Sequence, residues 1–327
     1  MKGFLIVLIA AVAHFALAGT LTVTSPTSGS SLGSADSPYL GKNNTLTFLI
    51  TGSSVEVTVK AEITSPAGTT VISDKFQPDS KGEISRSLAL NFSESSPEGN
   101  YTIVVSATEP GNSYPTKTLY VKVDTRKPKI LEFSPNNSAF VRGTVPIRAT
   151  IQELNIKDWT VRVGNQDIPS NTGTTNEINV PWDTTGIITD GAQSITLTVR
   201  DLADNVTTQT INVTLDRISP VATILFPRSD TSIRPNATIS VIVDVRDASS
   251  TSVDAQGIDV ILTRLDGTYI ARVSRVSYGN AGGNTARWNG RIRYVQNRLP
   301  SQFKVRVTVV DKAGNSGIPQ EVIVTVR

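Results

Sequence analysis

The stretch SITLTVRDLADNVTTQTINVTLDRISP, residues 194–220, contains the features from which the fold can be predicted. Residues 194–200 and 210–215 alternate between apolar and polar side chains, which is the period of a strand with one buried face. Between them, Asp201-Leu-Ala-Asp-Asn205 is rich in turn-forming residues. The stretch ends in Asp216-Arg-Ile-Ser-Pro220, and a proline restrains its predecessor to extended backbone. We therefore predict a strand, a tight turn, a second strand and a stiff joint.

The same alternation continues on both sides of this stretch. Further strand-like segments lie at 55–63, 101–109, 118–123, 239–245, 304–310 and 321–326. β-Branched residues dominate these segments, and no amphipathic helix of three turns is apparent. Strands that follow one another without helical crossovers are typical of antiparallel sandwiches. The predicted fold class is all-β.

Both the turn and the joint recur along the chain. Asp311-Lys-Ala-Gly-Asn315 repeats the turn, and Thr108-Glu-Pro-Gly-Asn112 is a looser copy. The joint at 216–220 has a copy at 124–128, 92 residues earlier. Such spacing indicates tandem repeats of ordinary domain size, each able to bury its own core. The predicted sandwiches are 19–124, 125–216 and 217–327, the last with inserted loops.

The second and third sandwiches resemble tandem bacterial immunoglobulin-like domains of surface proteins. The resembling residues are Val145–Ile151, Trp182, Asp190–Val199, Gly257–Leu262, Asp266-Gly267 and Trp288, together with the two Asp–Asn turns. The resemblance implies immunoglobulin-like antiparallel β-sandwiches. It leaves function open, because such modules serve as spacers, adhesin stalks and enzyme accessories alike.

The first sandwich is more divergent and resembles a macroglobulin-like β-sandwich. The residues that carry this likeness are Ser65–Gly68, Lys81–Glu83 and Pro97–Tyr101. Gly99-Asn-Tyr101 at the start of a strand resembles a tyrosine corner, in which a buried tyrosine bonds to backbone a few residues upstream.

The first 18 residues have the pattern of a secretory signal peptide. Lys2 is followed by the apolar run Phe4–Val12, and Ala16-Leu-Ala18 supplies small residues for cleavage after Ala18. A membrane anchor is the weaker interpretation, since the run is shorter than the roughly 20 residues that a bilayer needs. A prepilin-type site at Lys2-Gly3 is weaker still. We expect a secreted protein, extracellular or at the cell surface, with the periplasm as an alternative and no transmembrane segment after cleavage.

Composition argues against an enzyme. The chain has no cysteine, and its one histidine, His14, lies in the predicted signal peptide. After cleavage no catalytic triad, thiolate metal site or histidine base can form. We expect no catalysis and no cofactor apart from calcium.

Calcium is one interpretation of the Asp–Asn turn. Asp201, Asp204 and Asn205 offer the oxygen ligands that Ca²⁺ prefers. The competing interpretation is structural, because Asp and Asn side chains stabilise tight turns by accepting backbone N–H bonds. In the second turn, Gly314 is expected to adopt the left-handed conformation.

Charge is unevenly distributed. The three predicted sandwiches carry −3, −2 and +7, although the full chain is only +3. Arginines of the third stand close to aromatic residues and to Ser277–Thr285, which we expect to be a flexible inserted loop. Arginine binds carboxylates and phosphates in bidentate fashion. The candidate anion-binding residues are Arg264, Arg272, Arg275, Tyr278, Arg287, Trp288, Arg291, Arg293 and Arg298.

Two structural interpretations compete with the interpretation of these residues as a binding site. The arginines could simply keep edge strands soluble, and Trp159, Trp182 and Trp288 fit core positions better than sugar-stacking platforms.

Two functions therefore stay open. One is a structural, adhesive rod of the cell envelope. The other is a module that attaches through the arginine-rich sandwich to a cell-wall or extracellular polysaccharide or to another surface protein. Self-assembly through edge strands is a further option, and nucleic acid is disfavoured because no recognition element is visible.

Overall fold

The computed structural model describes residues 19–187, 189–249, 251–293 and 299–327. The predicted signal peptide and Arg298 lie outside the described residues. Within them, every regular element is a β-strand except one 3₁₀ turn, Ala255–Gly257. The predicted all-β fold class is therefore confirmed. None of the described segments forms a helix long and apolar enough to cross a bilayer.

The chain divides into two compact units. The first contains the residues up to Pro128 together with Glu153–Lys157 and Arg200–Thr207, and the second contains Lys129–Gln152, Asp158–Val199 and Thr208–Arg327. The sheets follow a threefold pattern, in which each pair of sheets uses strands from one predicted sandwich. The boundaries of those sandwiches stay a prediction.

Residues 20–123 form two sheets around one core. Their order is β1-β3-β6 and β2-β9-β7-β4-β5, with β8 attached to β7. Apolar side chains at alternating positions, such as Phe48, Ile50 and Ile103, are fully buried between them. The strands are β1 (Thr20–Ser25), β2 (Tyr39–Leu40), β3 (Thr45–Thr51), β4 (Val57–Ser65), β5 (Gly68–Phe76), β6 (Glu83–Ala89), β7 (Gly99–Glu109), β8 (Asn112–Ser113) and β9 (Lys117–Val123).

Residues 129–215 form the second pair of sheets. Their order is β10-β12-β15 and β11-β17-β16-β13-β14. Ile147, Val161 and Leu197 are among the completely buried residues. The strands are β10 (Lys129–Ser134), β11 (Phe140–Val141), β12 (Thr144–Gln152), β13 (Ile156–Val163), β14 (Gln166–Gly173), β15 (Glu177–Asp183), β16 (Gly191–Asp201) and β17 (Val206–Leu215).

Residues 221–326 form the third pair. Their order is β18-β20-β24-β23 and β19-β26-β25-β21-β22. Val243, Trp288 and Phe303 are buried in its core. The strands are β18 (Val221–Phe226), β19 (Ser232–Ile233), β20 (Thr238–Arg246), β21 (Ile258–Thr263), β22 (Tyr269–Arg272), β23 (Ser274–Gly282), β24 (Thr285–Arg293), β25 (Gln302–Val309) and β26 (Gln320–Val326).

Three local features recur in each pair of sheets. The first strand carries a register shift, in β1, β10 and β18. Each of these strands is followed by a cis proline, Pro26, Pro135 or Pro227. A two-residue strand then pairs in parallel with the last strand, as β2 with β9, β11 with β17 and β19 with β26. The repeats read from the sequence are thus also repeats of backbone geometry.

Two smaller predictions are confirmed and one is wrong. Tyr101 is buried and donates a hydrogen bond to the Pro97 carbonyl at 2.6 Å, as in a tyrosine corner. Trp159 and Trp182 are core residues. Ser277–Thr285, expected to be a loop, instead belongs to the hairpin of β23 and β24. Gly282 and Gly283, both at positive φ, serve the tight turn between these strands. Pairing of β23 with β24 supplies the backbone hydrogen bonds that the polar composition alone did not indicate.

Candidate carboxylate clusters and the arginine-bearing sheet

The first Asp–Asn turn is a closed network of hydrogen bonds at the end of β16. Oδ1 of Asp201 accepts from the backbone N–H groups of Ala203 and Asn205 at 2.8 and 2.9 Å. Oδ2 of Asp201 accepts from the Asn205 amide at 2.9 Å, and the same amide donates to the Asp124 carbonyl at 2.9 Å. Asn205 therefore connects the turn to the residue that follows β9.

Asp204 does not join this network. It adopts φ 61°, its side chain is exposed, and it pairs with Lys157 at 2.7 Å. The predicted calcium ligands Asp201, Asp204 and Asn205 are thus not brought together as one ligand set. The carboxylates that do meet Asp201 are Asp124 and Glu153, whose oxygens lie with that of Asp201 within 4.8 Å of one another.

The second turn repeats the first at the end of β25. The backbone N–H of Asn315 donates to Oδ1 of Asp311 at 2.8 Å. The Asn315 side-chain amide donates to Oδ2 of Asp311 at 2.7 Å and to the Asp216 carbonyl at 2.9 Å. Gly314 adopts φ 88°, so the prediction of a left-handed residue there is confirmed. This turn connects to the residue that follows β17.

The second turn also belongs to a carboxylate cluster, Asp216, Asp247 and Asp311, which we call the second cluster. One oxygen from each lies within 4.8 Å of the others, and all three residues are buried. Burial raises the pKa of Asp216 to about 6, and the neighbouring carboxylates of Asp247 and Asp311 add to this rise. Burial also raises the pKa of Asp247, because a low-dielectric surrounding disfavours the charged form.

The first cluster, which consists of Asp124, Glu153 and Asp201, is built from the same elements as the second. Each takes one acid from a joint, one from the residue directly after the second long strand of its sandwich, and one from the Asp–Asn turn. Glu153 follows β12 and Asp247 follows β20. Sequence reasoning missed both residues. The available signal was a carboxylate at the corresponding place after an alternating strand, in two repeats.

The arginines of the third pair of sheets lie on different surfaces. Arg287, Arg291 and Arg293 alternate along β24 and are exposed. Arg264 and Arg272 belong to the hairpin of β21 and β22 in the opposite sheet. The structure therefore places three of the predicted arginines on one face of β24 and two in the opposite sheet, while Arg275 lies on β23 beside β24.

The arginines on the β24 face differ in their partners. Arg287 makes a bidentate pair with Asp244 across the strands, with distances of 2.7 and 2.8 Å. Arg291 and Arg293 stand opposite Ser240 and Thr238 on β20, and no acid pairs with them among the described residues. In the opposite sheet, Arg272 pairs with Asp259 at 2.9 Å. The free positive charge of this face therefore lies at Arg291 and Arg293.

The two aromatic candidates are mainly structural. Trp288 is 2% exposed and belongs to the core, so its ring is not a surface platform. Tyr278 is half-buried and donates to the Val253 carbonyl at 2.6 Å. A cleft of about 580 Å³ at this edge of the sandwich is lined by Trp288, Arg272 and Arg275.

The sequence matches no protein-family model and no curated protein. Among solved structures, the fibronectin(III)-like modules of CbhA from Clostridium thermocellum are 13% identical, with a TM-score of 0.40, and cover 61% of this chain and 94% of their own. A tetra-tandem repeat from the extending region of a large adhesion protein is 16% identical, with a TM-score of 0.32, and covers 95% and 74%. A Ca²⁺-stabilised, ice-binding adhesin of an Antarctic bacterium is 20% identical, with a TM-score of 0.31, and covers 95% and 75%. The structural neighbours of this chain are thus fibronectin(III)-like and tandem-repeat adhesin modules, at a similarity too low to transfer any of their functions.

Proposed function

We propose that the chain is an exported, non-catalytic protein of the cell envelope whose tandem β-sandwiches space and attach other components. The observation that supports this most is the repeated joint. Asn205 and Asn315 each hold the backbone of a residue in the preceding joint, Asp124 or Asp216. A covalent joint reinforced by a buried hydrogen bond resists bending better than a free linker would.

The residue inventory favours a mechanical role over chemistry. The chain lacks cysteine altogether and has no histidine after residue 14. Its buried carboxylates are placed in joints and turns, where they accept backbone hydrogen bonds. Such hydrogen bonds stabilise the turns and the joints between successive repeats.

Fractionation of the producing cell tests the export. The chain is expected in the envelope or the medium, and a high-salt wash separates the electrostatically held fraction from the rest. Recovery in the cytosol would contradict the proposal.

Deletion of the chain tests the adhesive role, because attachment of the cells to a surface should fall and should return on complementation with the full chain. Attachment that is unchanged by the deletion would remove the adhesive part.

The β24 face supports a second candidate function, attachment to an acidic extracellular polysaccharide. Arg291 and Arg293 are neighbours on an exposed strand face and lack acidic partners among the described residues. Paired guanidinium groups in this position suit the sulfate or carboxylate groups of such a polymer.

Retention of the full chain on immobilised dextran sulfate tests this function. Arg291→Gln with Arg293→Gln should elute at a lower salt concentration than the native chain. Arg162→Gln with Arg272→Gln is the matched control, because it removes the same charge from arginines that already pair with Asp167 and Asp259. Equal elution of the two double variants would overturn the assignment.

A further inference from the structure

The second cluster concentrates negative charge at a buried position. Asp216, Asp247 and Asp311 are 2%, 7% and 6% exposed. Among the described residues none of the three forms an ion pair with lysine or arginine. The adjacent basic residue, Arg217, is engaged with Asp190 at 2.6 Å. Buried carboxylates in mutual contact are costly unless a positive charge compensates them.

One oxygen of the second cluster has no partner. Oδ1 of Asp216 accepts from the Ile218 N–H at 3.2 Å. Oδ2 of Asp216 is buried and makes no hydrogen bond within the described part of the chain. A buried acceptor without a partner loses its hydration and receives nothing in exchange. The carboxylate of Asp216 lies beside those of Asp247 and Asp311, so a cation is the partner that this oxygen would bind.

The remaining oxygens hold the carboxylates in place. Asp247 accepts from the Ser252 hydroxyl and from the Ala248 N–H, both at 2.7 Å. Asp311 accepts from the backbone and the side chain of Asn315. Each carboxylate oxygen has two lone pairs, so an oxygen that accepts one hydrogen bond can still bind a cation. The ligand atoms are thus fixed in position before any ion arrives.

We propose that the second cluster is a Ca²⁺ site, with Asp216, Asp247 and Asp311 as its protein ligands. Two oxygens bound to one Ca²⁺ at about 2.4 Å can be at most about 4.8 Å apart. The three oxygens lie within 4.8 Å of one another, so every pair of them meets this condition for sharing one ion. The donor set consists of oxygen alone, which suits Ca²⁺ and Mg²⁺ better than Zn²⁺. Three anionic ligands on separate elements favour Ca²⁺, which tolerates irregular geometry, over the strictly octahedral Mg²⁺.

The proposal is confined to the second cluster and does not depend on the proposed function. In the first cluster the carboxylates also approach within 4.8 Å, but none of Asp124, Glu153 and Asp201 has a buried oxygen without a hydrogen bond. The first cluster is therefore an internal comparison for the second.

Equilibrium dialysis of radioactive Ca²⁺ against the chelator-treated chain of residues 19–327, with excess Mg²⁺ present, tests the site. The native chain is expected to bind Ca²⁺. Asp247→Asn should bind about one Ca²⁺ fewer per chain, because it replaces a charged ligand by a neutral amide of the same shape, whose one oxygen still accepts from the Ala248 N–H. Asp230→Asn is the control, since it removes the same charge from an exposed position in the same sandwich, and it should bind as the native chain does. No binding by the native chain, or equal binding by Asp247→Asn, would overturn the site.

A second measurement decides the question even if Asp247→Asn fails to fold. Addition of Ca²⁺ to the native chain should shift the amide resonances of Ile218, Ala248 and Asn315, whose N–H groups donate to the three carboxylates. Shifts at Ala203 and Asn205 alone would place the ion in the first cluster and contradict the proposal. The absence of any shift would contradict it as well.

Discussion

Asn205 and Asn315 are the residues on which each joint depends. A single amide group binds a carboxylate within its own turn and a carbonyl that lies 81 or 99 residues earlier in the sequence. An aspartate at the same place could not replace it, because a carboxylate has no N–H to donate. The choice of asparagine thus follows from what its two partners have in common, since both are acceptors.

Removal of one of these amides should destabilise the chain. Asn315→Ala leaves Oδ2 of Asp311 and the Asp216 carbonyl without their donor in a buried place, which should cost on the order of 2–3 kcal/mol. Urea unfolding followed by circular dichroism measures the loss. Asn212→Ala, at an exposed position, should change the free energy of unfolding by less than about 0.5 kcal/mol. Similar losses in both variants would show that the buried amide of Asn315 contributes no more to the free energy of unfolding than the exposed amide of Asn212.

The strands could be predicted from the sequence, but the arrangement of the acids around their ends could not. Alternation marks β16, β17 and β25 because each exposes one face and buries the other, which is a local property. Glu153 and Asp247 each follow an alternating strand, but nothing local identifies the acids that they meet, since these come from turns and joints distant in sequence. The hairpin of β23 and β24 was missed because its glycines, serines and asparagines are typical of loops. Its strand β24 also pairs with β20, whose residues lie 39 to 55 positions before their partners.

Glycine in β24 has a packing role that also follows from tertiary structure. Trp288 and Gly290 point to the same face of the strand, and a Cβ added to Gly290 would lie 2.3 Å from the indole ring. Gly173 in β14 lies opposite Trp159 in β13, and a Cβ added to it would lie 2.5 Å from that indole ring. In both sandwiches the glycine makes room for a buried tryptophan.

Substitution of these glycines should separate packing from backbone effects. Gly290→Ala should destabilise by about 1–3 kcal/mol, because overpacking displaces the ring or the strand. Gly279→Ala on the neighbouring strand β23 is the control, since its Cβ would meet nothing within 4 Å. Thermal unfolding midpoints of the two variants check this. A midpoint for Gly290→Ala as high as that of the control would contradict the packing role.

At the scale of the whole molecule, charge is segregated along the sequence. The segments 19–124 and 125–216 are net acidic, whereas 217–327 is strongly basic. A surface with negative charge should therefore attract one part of the chain and repel the others, over a range of about 10 Å at 0.1 M salt.

Footprinting with an arginine-specific reagent should reveal this polarity. With dextran sulfate present at low salt, modification of Arg291 and Arg293 should slow severalfold, and modification of Arg86 and Arg162 should not change. High salt should abolish the protection, because screening weakens contacts between exposed charges. Uniform protection of all four arginines would contradict the predicted polarity, because binding would then not be confined to the β24 face.

The matched joints have an evolutionary and an engineering consequence. Each joint is made of two halves, an Asp at the end of one repeat and an Asp–Asn turn in the next, and both repeats that follow a joint carry the same receiving turn. Excision of residues 125–216 would place Asp124 directly before Arg217, where it could take the position of Asp216 and accept from Asn315. We expect the shortened chain to unfold in one cooperative transition, which thermal unfolding followed by circular dichroism would measure. A gene of this kind can gain or lose repeats by recombination between them, because every new neighbour already carries the complementary half.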